Sequence, residues 1–191
     1  NIKEIFNTDV YISVSPVGNK PYIYALTRPE IEKKGIRVHI ICGGGSGSEI
    51  ISRLHAEGFD ISSGVLTIGD LDWKISKEND VLISEEVPFA GISREAYSKN
   101  LELAAGADAI VVSGLYVGKS NIRNIELLTE KVLMGKPLLI LEDESFEERD
   151  YTGGTAMELY KSIKSMDNTV LTDRERLVEE ILKAVDANGK K

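Results

Sequence analysis

Arg37-Val-His-Ile-Ile-Cys42 runs into Gly43-Gly-Gly-Ser-Gly-Ser48 and then into Glu49-Ile-Ile-Ser-Arg-Leu-His-Ala-Glu57, and this stretch decides the fold. A short apolar run meets four glycines, after which apolar residues recur at helical spacing. The expected unit is strand, tight turn and amphipathic helix. Working outward, strands are expected near 36–42, 61–66, 81–85, 109–113, 137–142 and 169–171, each followed by a helix or a loop and a helix. Six repeats of that unit specify an α/β domain: a parallel sheet of about six strands in three layers, with helices on both faces. Helix boundaries fit. Ser93 precedes Arg-Glu-Ala-Tyr, Thr172 stands three residues before Glu175 as a capping box, and Gly106 and Gly135 sit where helices end.

The composition belongs to a globular protein. Of 191 residues, 42% are hydrophobic and 28% charged, and no stretch has the apolar length of a membrane span. A net charge of −8 repels phosphate backbones, so nucleic acid is not expected as a partner. Cys42 is the lone cysteine and His39 and His55 the two histidines, which leaves neither a disulfide nor a zinc cluster, and no metal is expected. A reducing cytoplasm fits this usage.

Ahead of the α/β repeats, Val10-Tyr-Ile-Ser-Val-Ser15 and Pro21-Tyr-Ile-Tyr-Ala-Leu26 alternate as strands around Pro16-Val-Gly-Asn-Lys20, a β-hairpin. Residues 29–35 read as a polar linker, and 36–191 as the main domain. The chain opens at Asn1 without a signal peptide pattern, and it is expected to be part of something longer.

Ligands in such sheets bind beyond the carboxyl ends of the strands. In the first loop, Gly43, Gly44, Gly45, Ser46, Gly47 and Ser48 let bare amides and the positive end of a helix face a phosphate or carboxylate. As a dinucleotide fingerprint the loop lacks a third glycine or alanine at Ser48, and the alternative is a ligand-free turn. In the fourth loop, Gly114-Leu-Tyr-Val-Gly-Lys-Ser120 resembles a P-loop, but only three residues separate Gly114 from Gly118 where a Walker A motif has four. Gly118, Lys119, Ser120 and Asn121 are therefore read as a second anion-facing helix start with Asn124 one turn in; the alternative is a capped helix with Lys119 in solvent. Gly69-Asp-Leu-Asp-Trp73 places Asp70, Asp72 and Trp73 in one loop, suited to a ribose hydroxyl or an amine with Trp73 stacked on a ring. The alternative makes Asp70 an N-cap and Trp73 core. Thr155 and Glu158 have capping-box spacing, and the six acids between Glu142 and Asp150 are read as a solvated loop.

Two resemblances add to this reading. Asn1-Ile-Lys-Glu-Ile-Phe-Asn-Thr-Asp-Val10 with the hairpin resembles the end of ATP-binding subunits of iron-siderophore and cobalamin ABC importers, over residues 1–28. That implies a missing ATPase domain that binds ATP, membrane permease subunits as its partners, and a cytoplasmic, membrane-peripheral location. The early glycine loop, Ala107-Asp-Ala-Ile-Val-Val-Ser-Gly114 and Met134-Gly-Lys-Pro-Leu-Leu-Ile140 resemble the nucleotide-binding Rossmann-like superfamily that includes the LOG, or lysine decarboxylase-like, phosphoribohydrolases, over residues 36–142. In those enzymes a Gly-Gly-x-Gly-Thr-x-x-Glu loop carries the catalytic glutamate; with its Gly-Thr on Gly118-Lys119 that position is Ile122. The departure speaks against the hydrolase reaction and leaves phosphate binding at Gly43 to Gly47 and at Gly118. Gly69–Trp73 and the Asn121/Asn124 pair also resemble an accessory domain appended to importer ATPases.

The leading expectation is thus a regulatory domain of an importer's ATP-binding subunit that binds a small anionic, phosphate-bearing or nucleotide-like ligand, with no catalysis of its own. A rival makes the chain a nucleotide or sugar-phosphate hydrolase or transferase, with Asp70 or Asp72 as general base and Lys119 stabilising the phosphate. A third reading is a docking or homodimerisation module whose glycines are only turns.

Overall fold

The computed structural model describes residues 9–14, 20–26 and 31–189. The chain divides into two units, residues 1–32 and 33–191.

In the first unit, strands β1 (Asp9–Val14) and β2 (Pro21–Leu26) pair antiparallel, with Tyr11 opposite Tyr24 and Ile12 opposite Ile23. Residues 1–8 before them, where the resemblance to importer ATPases implies a short helix, the residues joining them (15–19) and residues 27–30, which include the start of the linker, lie outside the described residues.

The second unit is a three-layer Rossmann-like α/β domain. Its strands are β3 (Arg37–Ile41), β4 (Asp60–Thr67), β5 (Leu82–Glu86), β6 (Ala109–Val112), β7 (Leu138–Leu141) and β8 (Thr169–Thr172). All pair in parallel in the order β5-β4-β3-β6-β7-β8. The chain builds outward from β3 to one edge, returns to lay β6 on the other side of β3, and then builds to the opposite edge. Its helices are α1 (Ser48–Ala56), α2 (Leu71–Glu78), α3 (Arg94–Gly106), the single turn α4 (Arg123–Glu126), α5 (Thr155–Lys164) and α6 (Leu177–Asn188).

Alternation along the strands divides the core in two, because successive side chains point to opposite faces. Val38 and Ile40 of β3 pack with Ile50, Ile51 and Leu54 of α1 and Leu177 and Ile181 of α6. Ile41, with Ile110 and Val112 of β6, packs with Ala104 of α3, Ile125 of α4, and Ala156, Tyr160 and Ile163 of α5. No helix among the described residues is long and apolar enough to cross a membrane.

Local chemistry at the boundaries departs from the expected pattern in several places. Ser93 does cap α3, its hydroxyl accepting from the Ala96 amide at 3.2 Å. Gly106 is the last residue of α3 rather than its cap. Thr172 ends β8 instead of capping α6; the Asp173 carboxylate accepts from the Arg176 amide at 2.8 Å and turns the chain. At α5, Thr155 is already helical and exposed, so it forms no capping box with Glu158. Thr152 Oγ1 takes the Ala156 amide at 2.8 Å and Asp150 Oδ2 the Met157 amide at 3.1 Å. Two glycines with positive φ, Gly153 and Gly154, let the chain bend back far enough for these earlier residues to reach the helix start.

Candidate functional site

β3 and β6 are neighbours whose following connections run to opposite sides of the sheet, which opens a crevice at their carboxyl ends. One wall is the loop 43–47 that leads into α1; the other begins at Ser113, after β6. The two meet at Ser46 and Ser113, whose hydroxyls lie 2.7 Å apart.

The glycine loop holds an anion, and it is one of the chain's own. Asp72, in the first turn of α2, is fully buried. Its carboxylate accepts from the Gly45 amide at 3.2 Å, from the Gly47 amide at 3.1 and 3.2 Å, and from the Ser48 hydroxyl at 2.6 Å. Asp70 accepts from the Gly44 amide at 3.1 Å and caps α2 through the Trp73 amide at 2.7 Å. Of the amides that the sequence offers to a phosphate, those of Gly44, Gly45 and Gly47 are taken by two carboxylates at the start of α2, and those of Gly43, Ser46 and Ser48 close on the loop itself. The favourable end of the α1 dipole falls on Asp72.

Gly47 has a second task. A Cβ there would lie 2.5 Å from Cys42 Cβ and 2.6 Å from its sulfur, so only glycine lets α1 approach the end of β3 this closely. The sequence-based comparison with a dinucleotide fingerprint looks for that close-packing residue at Ser48; it is one position earlier. The Cys42 thiol is buried, 3.2 Å from Ser63 Oγ, and burial, then the nearby Asp72 charge, push its pKa well above the ordinary range. A thiolate is thereby disfavoured.

The loop after β6 is built differently. Val117 forms an isolated parallel bridge with Asp150, so Leu115–Val117 runs as a short rung beside the segment after β7. The Gly118 amide is taken at 2.7 Å by Asn121 Oδ1, and Asn121 Nδ2 donates to the Tyr116 carbonyl at 2.9 Å. Lys119 and Ser120 are exposed. The expected second anion-facing helix start is a turn closed on its own asparagine, followed only by the short α4.

Asn124 points elsewhere. It is buried, and its carboxamide accepts from the Val65 amide at 2.8 Å and donates to the Val65 carbonyl at 3.1 Å. At that point the β4–β5 register shifts, between Ser63 and Leu66, and the asparagine supplies the two hydrogen bonds that a neighbouring strand would have made. Trp73 packs partly against the core, and its Nε1 donates to Glu85 at 2.6 Å. That bond, followed by Lys77 at 3.1 Å, holds the Glu85 carboxyl below its usual range.

Of the predicted residues, the fold thus gathers Gly43 to Ser48 with Asp70 and Asp72, and turns Trp73, Asn121 and Asn124 to structural partners. Asp70 and Asp72 are each engaged as acceptors by donors that position the loop. The acidic residues after β7 form no metal-holding group among the described residues. They line a hollow of about 630 Å³ together with Phe146, Tyr160, Lys161 and Lys164.

Residues 61–178 match the model of the MJ0874 family. The chain belongs to that family. A curated relative, an uncharacterized protein MJ0874 from Methanocaldococcus jannaschii, is 28% identical over 80 residues, which span 42% of this chain and 86% of the relative. No solved structure matches. The matched family region runs from β4 into α6 and contains Asp70, Asp72 and the loops after β6 and β7.

Two residues in that region escaped the sequence reading. Tyr116 and Tyr151 stand side by side on the rung that joins the loops after β6 and β7, both exposed, with ring centroids 6.1 Å apart. The available signal was Tyr116 between apolar Leu115 and Val117, since alternation in an extended segment turns the middle side chain outward.

Proposed function

We propose that this chain is the C-terminal part of an ABC importer's ATP-binding subunit and that its Rossmann-like domain is a regulatory module, binding a small phosphate-bearing ligand at the crevice between β3 and β6. The observation that carries the reading is the Asp72 carboxylate seated on the Gly45 and Gly47 amides and the Ser48 hydroxyl. A loop that holds a buried carboxylate with four hydrogen bonds is matched to an anion, and the occupant is a side chain that a ligand phosphate can replace. Exchange of one anion for the other releases α2 from the loop, so ligand occupancy is coupled to the position of a helix. Regulation of transport then requires only that the ligand bind one transporter state better than the other. The likeness of residues 1–28 to the end of importer ATPases supports the attachment. Chemistry by this domain is disfavoured because both candidate bases are committed to the loop.

Thermal unfolding with inorganic phosphate and AMP, on the wild type and on Asp72→Asn, tests the proposal. The neutral amide competes less well for the seat, so both probes should raise the melting temperature of Asp72→Asn more than that of the wild type. Equal, null responses in both proteins would overturn it. They would favour the docking-module reading, which draws support from one specific observation: all three glycine-led turns, at 43–47, 118–121 and 153–157, are closed by Asp72, Asn121 and Asp150 of the same chain.

A further inference from the structure

We infer that Tyr116 and Tyr151 form a stacking platform for a planar heteroaromatic ring, which makes the ligand of the proposed crevice nucleotide-like rather than a simple sugar phosphate. The inference rests on the regulatory reading for the phosphate and on separate observations for the ring.

The two tyrosines are 55% and 69% exposed, yet the backbone that carries them is fixed from several directions. The Val117 amide donates to the Arg149 carbonyl at 2.8 Å and the Tyr151 amide to the Val117 carbonyl at 2.8 Å, so the segments are zipped on both sides of Val117. Leu115 and Val117 anchor the rung in the core on either side of Tyr116. The Tyr116 carbonyl is held by Asn121, and the Asp150 carboxylate accepts the Thr152 amide at 2.7 Å just past Tyr151.

Beneath the rung lies Arg149, only 1% exposed. Its guanidinium donates to the Leu115 carbonyl at 3.3 Å in the loop after β6 and to the Glu144 carbonyl at 3.1 Å in the loop after β7. Its Nε has no partner among the described residues. Two carbonyls and the face of Phe146, 5.2 Å away, are what this buried cation meets, and it ties the two loops together. A rigid scaffold thus presents two aromatic rings that folding leaves largely uncovered.

The geometry selects the class of ligand. With centroids 6.1 Å apart and planes inclined by 41°, the rings touch one another, so no slot is left between them for an inserted group. Both rings are exposed, so a flat ring can stack on the face of one while its edge meets the other. Tyr116 follows Ser113 by three positions, and the Ser113 hydroxyl meets Ser46 of the glycine loop. Stacking on exposed tyrosines has a small ordering cost because the side chain has few rotatable bonds.

Calorimetric titration with AMP, adenosine and ribose 5-phosphate tests this on the full chain, using wild type, the double variant Tyr116→Ala/Tyr151→Ala and the ring-preserving double variant Tyr116→Phe/Tyr151→Phe. Both rings are exposed, so the variants should fold normally. AMP should bind about ten-fold more tightly than ribose 5-phosphate, lose that advantage in the alanine variant and keep it in the phenylalanine variant. Adenosine binding should disappear in the alanine variant alone. If AMP and ribose 5-phosphate bind equally and the alanine variant is unchanged, the platform is overturned while the anion seat stands. If adenosine binding depends on the tyrosines but phosphate adds nothing, and Asp72→Asn changes nothing, the platform stands and the anion seat falls. Failure of all three probes to bind overturns both.

Discussion

The loop after β3 and the loop after β6 look alike on paper, each a glycine-rich turn leaving a buried parallel strand, and they are satisfied in opposite ways. Gly45 and Gly47 give their amides to Asp72, a carboxylate from the next helix 25 to 27 residues along the chain. Gly118 gives its amide to Asn121, three residues away. At these amides the first loop meets a carboxylate brought by tertiary structure, and the second meets a neutral carboxamide three residues on. A glycine-rich turn therefore says that bare amides are present and leaves open what they meet.

Removing each acceptor breaks the comparison most sharply. Asp72→Ala strands buried donors in the first loop and should cost about 3 kcal/mol in denaturant unfolding, whereas Asn121→Ala, at a partly exposed turn, should cost about 1 kcal/mol. Equal costs would mean that the first loop is as locally determined as the second.

The glycines themselves give the next largest contrast. At Gly47 an added methyl meets Cys42, so Gly47→Ala should destabilise by about 2 kcal/mol. At Gly118 the nearest atom to a Cβ is Asn121 Oδ1 at 4.0 Å and φ is not positive, so Gly118→Ala should stay within about 0.5 kcal/mol of the wild type. Unfolding midpoints of the two variants decide it.

Acid titration sharpens the comparison by separating the strand from its loop. His39 in β3 is fully buried with Nδ1 2.9 Å from Ser62 Oγ, and burial lowers its pKa to about 3. Between that value and its ordinary 6.5 the unfolded chain binds the proton and the folded chain does not. Stability is therefore complete above the unfolded pKa and falls as pH drops through 6.5 toward 3, by up to about 1.4 kcal/mol per pH unit. Denaturant unfolding at about pH 7.5 and about pH 5.5, repeated with His39→Asn, should show that component of the acid sensitivity vanish. Whatever slope remains belongs to other groups.

Much of the fold is legible in the sequence because its causes are local. The central strands Ala109–Val112 and Leu138–Leu141 are apolar runs, helix α1 shows an apolar stripe of Ile50, Ile51 and Leu54, and period separates the two. The capping of α3 by Ser93 is equally local. Where a cap differs from the expectation, another residue close in sequence takes the role. Thr152 and Asp150 reach α5 across two glycines in place of Thr155, and Asp173 replaces Thr172 at the turn before α6.

The sequence by itself determined that this is a parallel α/β domain with glycine-rich turns at the ends of two central strands, because hydrophobic periodicity and glycine's freedom are properties of neighbouring residues. What those turns hold depends on which distant segments the fold brings beside them. Asp72 reaches the glycine loop because β4 lies beside β3, Asn124 fills the β4 register shift because α4 lies against it, and Tyr116 meets Tyr151 because the segments after β6 and β7 pair. An amide's hydrogen-bond partner is fixed by proximity in space, and proximity between distant residues is set by strand order.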